Sequence, residues 1–354
     1  MLVAVSQAEW VPVASAQAPA RGQASAQASA QASAQASAPR THELPLTPEN
    51  VHWGYYDPRL PAVLHIGSGD RVRVETMIAG GLTRVRMAGA TEAEIPESLK
   101  RVETRITERG PGAHPMTGPI FVDGAEPGDV LEIRTLGIEF LHPFGVVAFS
   151  PGGGTLPDDF PYAHVQLLRW QPGADRVQFA PGISLPLAPF FGSIGVAPPP
   201  LVGRISSKQP GWHGGNLDNK DLVVGSTLYL PVHIKGALLS IGDGHAMQGD
   251  GEVSGTALET SLRGTFEVRL RKGARLRWPR AETPTHYITM GLNEDLDEAT
   301  RMGVREMVDF LVAEKKMSRE DAYVLCSVAA DVHVTQSVDQ TKGVHVMLAK
   351  SIFK

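Results

Sequence analysis

Residues 242–252 carry the densest group of chemically active side chains in the sequence: Asp243, His245, Asp250 and Glu252 stand among four glycines. In extended backbone, side chains two residues apart point the same way, so we expect Asp243 and His245 on one face and Asp250 and Glu252 on another. Glycine lets the backbone approach a ligand closely, because it has no Cβ. Imidazole and carboxylate ligands suit Zn²⁺, or Mn²⁺ at the harder end. The stretch therefore predicts a metal or catalytic site, with a solvated polar loop as the alternative.

A second polar stretch, residues 211–220, places His213, Asn216 and Asp218 around a Gly-Gly turn. Taken alone the motif is weak, because Asn and Asp favour turns in any protein. It gains meaning from the first stretch. Two segments that each carry a His and an Asp beside glycines can meet across adjacent strands and complete one site.

Apolar and alternating segments must position these residues. Residues 228–241 form a strongly apolar run that predicts one or two buried strands before the acidic stretch. Residues 264–271 alternate, which predicts a strand with Phe266, Val268 and Leu270 on its buried face. Residues 64–77 and 118–133 each read as strand, Gly-Asp turn and strand. Together they favour a mainly β protein built from β-sandwich or barrel-like layers.

Helical patterns are expected only in the C-terminal part, which gives it an α+β character. One helix is predicted over residues 294–316 with Asn293 as its N-cap. A second is predicted to begin after Ser318, in a sequence that resembles a capping box, and to reach about residue 330. Residues 80–113 are polar and rich in Arg and Glu, and they predict a helical or loop excursion over the site. The predicted divisions are an extension at 1–40, a β-rich domain at 41–200, and a β-rich domain with helices at 201–354 that carries the active-site loop.

Composition limits the classes of partner. The chain has 354 residues and a net charge of −5, which gives no reason to expect binding to nucleic acid or to an anionic membrane. It contains no run of 18 apolar residues that would predict a transmembrane helix. Its single cysteine, Cys326, excludes an intramolecular disulfide, and we expect it to be a core thiol.

The N-terminal residues leave two interpretations open. Residues 1–20 are mildly apolar, and Ala-Ser-Ala at 14–16 resembles a signal-peptidase site, although no basic n-region precedes it. Residues 23–38 are four tandem Gln-Ala-Ser-Ala units, typical of a flexible tether. A shortened export signal followed by a linker is slightly favoured over an extension on a cytoplasmic protein.

Six segments resemble the acetamidase/formamidase family: residues 68–70, 117–131, 213–218, 225–232, 242–255 and 332–353. The resemblance covers about residues 42–354. It implies a β-rich, homo-oligomeric amidohydrolase that converts short primary carboxamides, similar to formamide or acetamide, to carboxylate and ammonia. It also implies a divalent metal, commonly assigned as zinc, near the acidic loop.

Roles carried over by position follow from the resemblance. The metal ligands would be Asp218, Asp243 and His245. Glu252 would be the acid and base, with Asp250 beside it as a further catalytic residue or an alternative ligand. His213 and Asn216 would hydrogen-bond the substrate amide or the oxyanion.

Two other functions remain open at this point. The same chemistry in a wider pocket would hydrolyse a cyclic amide or imide. A non-catalytic β-sandwich module could instead hold Ca²⁺ on the acidic loop, although His245 favours a softer ion. Two further histidines are ambiguous: His114 is expected to be a turn residue rather than a ligand, and His333 could face either the pocket or solvent.

Overall fold

The computed structural model describes residues 39–354, which form one compact unit. The predicted export signal and the Gln-Ala-Ser-Ala tether lie outside the described residues. The elements up to residue 195 are β1 (Thr41–Leu44), β2 (Val51–Trp53), β3 (Tyr55–Tyr56), β4 (Leu64–Ile66), β5 (Arg71–Glu75), α1 (Gly81–Met87), α2 (Glu97–Arg105), β6 (Pro115–Val122), β7 (Val130–Phe140), β8 (Phe144–Phe149), β9 (His164–Arg169), β10 (Arg176–Ala180), β11 (Ile183–Pro186) and β12 (Phe190–Gly195).

The remaining elements are β13 (Ile205–Ser206), β14 (Gly214–Asn216), β15 (Thr227–Pro231), β16 (Leu239–His245), β17 (Glu259–Thr260), β18 (Leu262–Arg271), β19 (Arg280–Glu282), β20 (His286–Asn293), α3 (Leu296–Lys315), α4 (Arg319–Ala329), β21 (Ala330–Gln336) and β22 (Lys342–Ala349). Short 3₁₀ turns cover Pro48–Asn50 and Lys350–Ile352.

Two nine-stranded sheets form the framework of residues 39–354. The first sheet has the order β1-β5-β18-β7-β15-β19-β20-β22-β21. The second runs β14-β12-β16-β17-β8-β9, and β6 joins it by pairing with β16, β2 and β4. Within the described residues the layers pack as a sandwich and neither sheet closes into a barrel, so of the two predicted forms the sandwich is the one observed.

The main core lies between these sheets. Phe266 and Val268 on β18 of the first sheet are fully buried, and they meet Phe191 and Ile241 of the second. The rings of Phe191 and Phe266 cross edge to face with centroids 5.3 Å apart, an arrangement that aromatic pairs prefer. The alternation predicted for residues 264–271 therefore directs its apolar face into this core, and the packed layers form a rigid support for the loops at their ends.

The predicted boundary at residues 200 and 201 does not divide the two sheets. The first sheet joins β5 and β7 to β18, and the second joins β12 to β14 and β16. Because the hydrogen-bonded neighbours of these strands come from both sides of residue 200, the core is shared by the two halves.

The predicted restriction of helices to the C-terminal part is wrong. Residues 80–113 contain α1 and α2, whose buried Leu82, Val85, Leu99 and Val102 pack in one cluster with Trp53. Their short apolar stripes are masked in the sequence by many Arg and Glu residues, which lie on the opposite faces. Among the described residues, no helix has both the length and the apolar character needed to span a membrane.

The two C-terminal helices are confirmed, with one correction. Ser318 caps α4 by accepting a hydrogen bond from the backbone N–H of Asp321, as predicted. The cap of α3 is Asp295, which accepts from the N–H of Glu298, and not Asn293. Asn293 is still part of β20, and its side chain instead accepts from the N–H of Asp295. Cys326 is buried between the helices and the sheet, as expected for a core thiol.

Candidate active site

A cavity of about 540 Å³ opens at the ends of β14 and β16. Segments far apart in the chain line it, including α1, the Gly152–Gly154 turn and the loop that follows β21. Its ionisable lining residues are Arg84, His114, Lys208, Asp218, Asp243, His245, Glu252, Glu259, Asp339 and Lys342. Arg84 and Pro111 belong to the 80–113 excursion, which forms part of the cavity wall as predicted. The cavity thus combines five carboxyl groups with two imidazoles.

The two polar stretches meet here. Asp243 and His245 share a face of β16, with Asp243 Oδ1 3.3 Å from His245 Nε2. Asp218, which follows β14, brings its Oδ1 to 4.0 Å from the same nitrogen. One possible ligand atom from each of the three residues lies within 4.8 Å of the other two, and all three side chains are buried. The predicted metal-ligand set is therefore brought together.

Several atoms of this group have no protein partner. Asp218 Oδ1, Asp243 Oδ1 and Glu259 Oε2 are buried without a hydrogen bond. A buried carboxylate oxygen without a partner is costly, since its desolvation is not repaid. Gly192 faces the same point: a Cβ there would stand 2.4 Å from Asp218 Oδ1 and 2.5 Å from Asp243 Oδ2. The donor types, the unpaired oxygens and this side-chain-free position fit a cation bound among the three residues.

Unusual backbone conformations accompany the carboxylates. Asp218, Asp243, Glu252 and Asp339 have φ values of 47°, 58°, 44° and 63°. Residues other than glycine seldom adopt the left-handed region, and those that do are often held there by function. Four cavity carboxylates in this region indicate that the fold aims them into the cavity against their local preference.

The expectation that Asp250 and Glu252 share a face is wrong. Glu252 is buried in the cavity wall, with an oxygen within 4.8 Å of ligand atoms on His245 and Glu259. Asp250 lies outside the cavity and contacts Lys220 at 2.9 Å. The alternation fails because Gly251, at φ 93°, and Glu252 form a turn instead of extended strand. Only Glu252 is placed for acid or base chemistry at the cluster.

The predicted substrate-binding residues have other contacts. Asn216 lines the cavity, but its side-chain NH₂ donates to Asp218 Oδ2 at 2.7 Å and to Asp339 Oδ2 at 3.1 Å. Its Oδ1 accepts from Ser193 at 2.7 Å. Asn216 therefore orients carboxylates, since both of its N–H groups are used.

His213 does not reach the cavity. Its ring packs edge to face on Tyr56 and Trp212, and it is almost fully buried. The Gly214 and Gly215 turn, with φ values of 84° and 79°, sets the directions of His213 and Asn216 independently. The closeness of His213 to Asp218 in the sequence therefore does not place its side chain in the same cavity.

Three cavity residues were not identified from the sequence as site residues. Glu259 Oε2 lies 3.4 Å from His245 Nε2, and a lone acid within the apolar segment 257–262 was an available signal. His114, for which a ligand role was the less favoured alternative, lines the cavity with its Nε2 3.9 Å from Asp243 Oδ2. Asp339 sits in a turn between β21 and β22, where the sequence offered no sign of its role.

The crowded charges shift the pKa values of these groups. Burial, followed by the charges of Glu252 and Asp243, raises the pKa of Asp218 well above its usual value. Burial also raises the pKa of Asp339, to about 6. Burial also disfavours the charged forms of Asp243 and His245. For these two residues, however, neighbouring groups of opposite charge outweigh the effect of burial. His114 and His245 lower the pKa of Asp243, and Glu259 and Asp243 raise that of His245 well above its usual value.

Comparison with known proteins adds to this geometry. A family model described as the Acetamidase/Formamidase family matches residues 43–209 and 204–354. A formamidase of Methylophilus methylotrophus is 28% identical over 250 residues, covering 56% of this chain and 58% of that protein. The chain spans only 58% to 60% of the length of the curated relatives it matches.

Solved structures match over more of their length. An acetamidase of Bacillus halodurans is 33% identical with a TM-score of 0.74, covering 89% of this chain and 98% of that one. An acetamidase of Yersinia enterocolitica is 32% identical with a TM-score of 0.77, covering 90% and 94%.

Proposed function

The chain belongs to the acetamidase/formamidase family, and from this membership and its buried cluster we propose that it is a metal-dependent amidohydrolase. Its reaction is the hydrolysis of a short primary carboxamide, similar to formamide or acetamide, to carboxylate and ammonia. One observation carries the proposal: Asp218, Asp243 and His245 converge in one cavity with unpaired oxygens, and Glu252 stands beside them. The relatives named formamidase and acetamidase support the choice of reaction.

Asp218, Asp243 and His245 would hold a borderline divalent metal, for which we propose zinc. Such an ion would supply a Lewis acid for the amide carbonyl. Glu259 Oε2 offers a fourth donor, because it is unpaired and faces the same imidazole. The Asn216 amide keeps Asp218 in place through the 2.7 Å bond to its Oδ2, which leaves Oδ1 free to face the cavity.

Glu252 moves the protons. Hydrolysis requires a water to lose a proton as it attacks the carbonyl carbon, and the amide nitrogen to gain one as the C–N bond breaks. A single carboxylate beside the reacting carbon can take the first proton and deliver it to the nitrogen, so that ammonia and the carboxylic product leave. Glu252 adjoins both His245 and Asp218 without belonging to the proposed ligand set, which is the position this role demands.

The volume of the cavity favours a second candidate substrate class. About 540 Å³ exceeds the needs of formamide, and the same catalytic groups would act on a cyclic amide or imide. The polar lining suits either substrate. A non-catalytic module holding Ca²⁺ remains a third outcome of the experiment below.

The test is ammonia release from formamide, acetamide and larger primary amides, with ring opening of a five-membered lactam and a cyclic imide followed in parallel. Each assay is run before chelation, after chelation, and after return of Zn²⁺. Loss of turnover on chelation and recovery with Zn²⁺ support the metalloamidase. Activity on the cyclic substrates alone would shift the proposal to the second class. Bound metal with no turnover on any substrate would leave a binding module.

We also propose that the chain forms a homo-oligomer, as its resemblance implies. Tyr323, Val324 and Val328 leave an apolar face of α4 exposed, with 65%, 62% and 75% of their surface accessible. Exposed apolar patches of this kind often mark contacts between subunits. Light scattering of the wild-type protein and of Val328→Glu tests this: a smaller mass for the variant supports the face, and a monomeric wild type contradicts the proposal.

A further inference from the structure

A second group of imidazoles and carboxylates lies where the last hairpin meets the loop at residues 249–252. His333 on β21 and His345 on β22 are directly opposite in register, and their rings stack with centroids 4.9 Å apart. Asp250 and Asp221 approach them from two loops. These four residues do not line the cavity described above. Histidines directly opposite one another on paired strands stand close enough for one nitrogen of each to reach a shared metal ion.

Two distances fit metal ligation. His333 Nδ1 lies 3.2 Å from Asp250 Oδ2, and His345 Nε2 lies 3.2 Å from Asp221 Oδ2. Ligand atoms around a tetrahedral Zn²⁺ with bonds of about 2.0 Å are about 3.3 Å apart. Possible ligand atoms of Asp250, His333 and His345 also lie within 4.8 Å of one another. Two of the separations therefore match an edge of a small coordination sphere, and Asp250, His333 and His345 lie close enough together to share one ion.

His345 provides an independent indication. Its side chain has no exposed surface, and its Nδ1 bonds Thr335 Oγ1 at 2.7 Å. Its Nε2 is buried, and the group facing it is the Asp221 carboxylate, with Oδ2 3.2 Å away. Metal-bound histidines are typically oriented by a bond to the ring nitrogen that does not bind the metal. A buried imidazole held in this way, with its other nitrogen facing a carboxylate oxygen, is oriented to share a cation with that carboxylate.

We propose that His333, His345 and Asp250 form a second site for a borderline divalent metal of the Zn²⁺ class, with Asp221 adjoining it at the Nε2 of His345. The mixed nitrogen and oxygen donors select such ions over Ca²⁺ or Mg²⁺. The site joins the last hairpin to both active-site loops, because Asp250 is two residues before Glu252 and Asp221 is three after Asp218. A bound ion would therefore fasten the loops that carry those two cavity carboxylates.

Lys220 gives the site a competitor. Its Nζ lies 2.9 Å from Asp250 Oδ2, so the ammonium and a metal compete for one carboxylate. Replacing this lysine with an uncharged residue of similar length should strengthen metal binding, since the competing charge is removed. In a plain network of ion pairs, the same change would leave Asp250 without its partner and would not create metal affinity.

The experiment is calorimetric titration of the full chain with Zn²⁺ after chelation, and it does not depend on amide hydrolysis. Wild type should bind one equivalent more than His333→Gln or Asp250→Asn, or bind it at least about tenfold more tightly. Lys220→Met should tighten the same binding event. His65→Gln, an exposed histidine elsewhere, is the matched control. Both test side chains are partly exposed, at 35% and 30%, so the variants should fold, which circular dichroism will establish.

Two results would contradict the second metal site. Equal stoichiometry and affinity in wild type, His333→Gln, Asp250→Asn and His65→Gln would reduce the group to ion pairs. Failure of Lys220→Met to tighten Zn²⁺ binding would also contradict the competition on which the proposal depends. Because every readout is binding, the outcome is separate from the success or failure of the amidase proposal.

Discussion

Gly192 lies directly against the carboxylate of Asp218: a Cβ at Gly192 would stand 2.4 Å from Asp218 Oδ1. The same carbon would be 2.5 Å from Asp243 Oδ2 and 2.8 Å from the His245 ring. This position inside β12 thus remains free of a side chain where the side chains of Asp218, Asp243 and His245 converge. The absence of a side chain at Gly192 explains how the interior of a strand can accommodate a cluster of buried charges.

Gly192→Ala should therefore disable the cluster. The methyl group must displace Asp218 or Asp243, and misplaced ligands commonly cost about a hundredfold in rate. We expect bound metal and ammonia release both to fall by about that factor, measured on the best substrate of the panel. Gly137→Ala is the control, since its Cβ would meet nothing closer than 3.9 Å. Full activity and metal content in Gly192→Ala would contradict the assigned ligand set.

Glu252→Gln should remove proton transfer and leave metal binding intact. General acid and base catalysis typically contributes about 10²- to 10⁴-fold, so kcat should fall by at least about a hundredfold with little change in KM. Steady-state kinetics and metal analysis measure the two effects. Glu43→Gln, at a carboxylate with 62% of its side chain exposed, should behave as wild type. Near-normal kcat with metal bound would remove Glu252 from the mechanism.

Ser193→Ala tests the support of the cluster. The hydroxyl of Ser193 donates to Asn216 Oδ1 at 2.7 Å, and Asn216 in turn holds Asp218 and Asp339. Loss of this bond should lower metal affinity by about 10- to 100-fold, as outer-shell partners usually do. Isothermal titration with Zn²⁺ gives the value, and restoration by Ser193→Thr would identify the hydroxyl as the cause. Unchanged affinity in Ser193→Ala would show that Asn216 needs no such support.

His52 should make the fold sensitive to acid. Burial lowers the pKa of His52 to about 4, whereas the unfolded chain has the ordinary value near 6.5. As the pH falls from 6.5 to about 4, His52 is protonated in the unfolded state but stays neutral in the folded state. The free energy of unfolding therefore decreases in that window. At pH 5.5 the loss from His52 alone should be about 1 kcal/mol.

The measurement is the difference between wild type and His52→Gln in the free energy of unfolding by urea, at several pH values. Taking this difference removes the contribution of Asp339, which is the same in both proteins. Burial raises the pKa of Asp339 to about 6, so its contribution to the stability of the fold is lost as the pH rises through that value, in the opposite direction to that of His52. The variant should lose less stability than wild type between pH 6.5 and 4. His164→Gln, at an exposed histidine, should follow wild type, and parallel curves for His52→Gln would contradict the assignment.

Phe266→Ala should weaken the contact between the sheets. Phe266 is fully buried against Phe191, and large-to-small changes of this kind cost about 3–5 kcal/mol. Phe160→Ala removes the same ring at a site that is 41% exposed and should cost less than about 1 kcal/mol. Urea unfolding of both variants checks the expectation. Equal losses would mean that the layers do not depend on this core.

Local patterns in the sequence predicted much of the framework. The alternation of residues 264–271 identified Phe266 and Val268 as core, and Ser318 with Asp321 identified the start of α4. These predictions succeed because side-chain direction in a strand and capping of a helix depend on residues only two or three apart. For residues 80–113 the same reasoning did not choose between a helix and a loop, since the apolar faces of α1 and α2 are narrow and surrounded by charge.

By itself, the sequence determined that Asp243 and His245 share a site and that Asp218 belongs with them, through strand periodicity and through the resemblance. Only the tertiary structure decided that Glu259, Asp339 and His114 join the cavity, that Asp250 leaves it for His333, and that His213 packs on Tyr56. The physical reason is that side-chain periodicity is local. The convergence of distant segments is set by the packing of two sheets and by backbone turns such as Gly251, whose positive φ reverses the direction that simple alternation predicts.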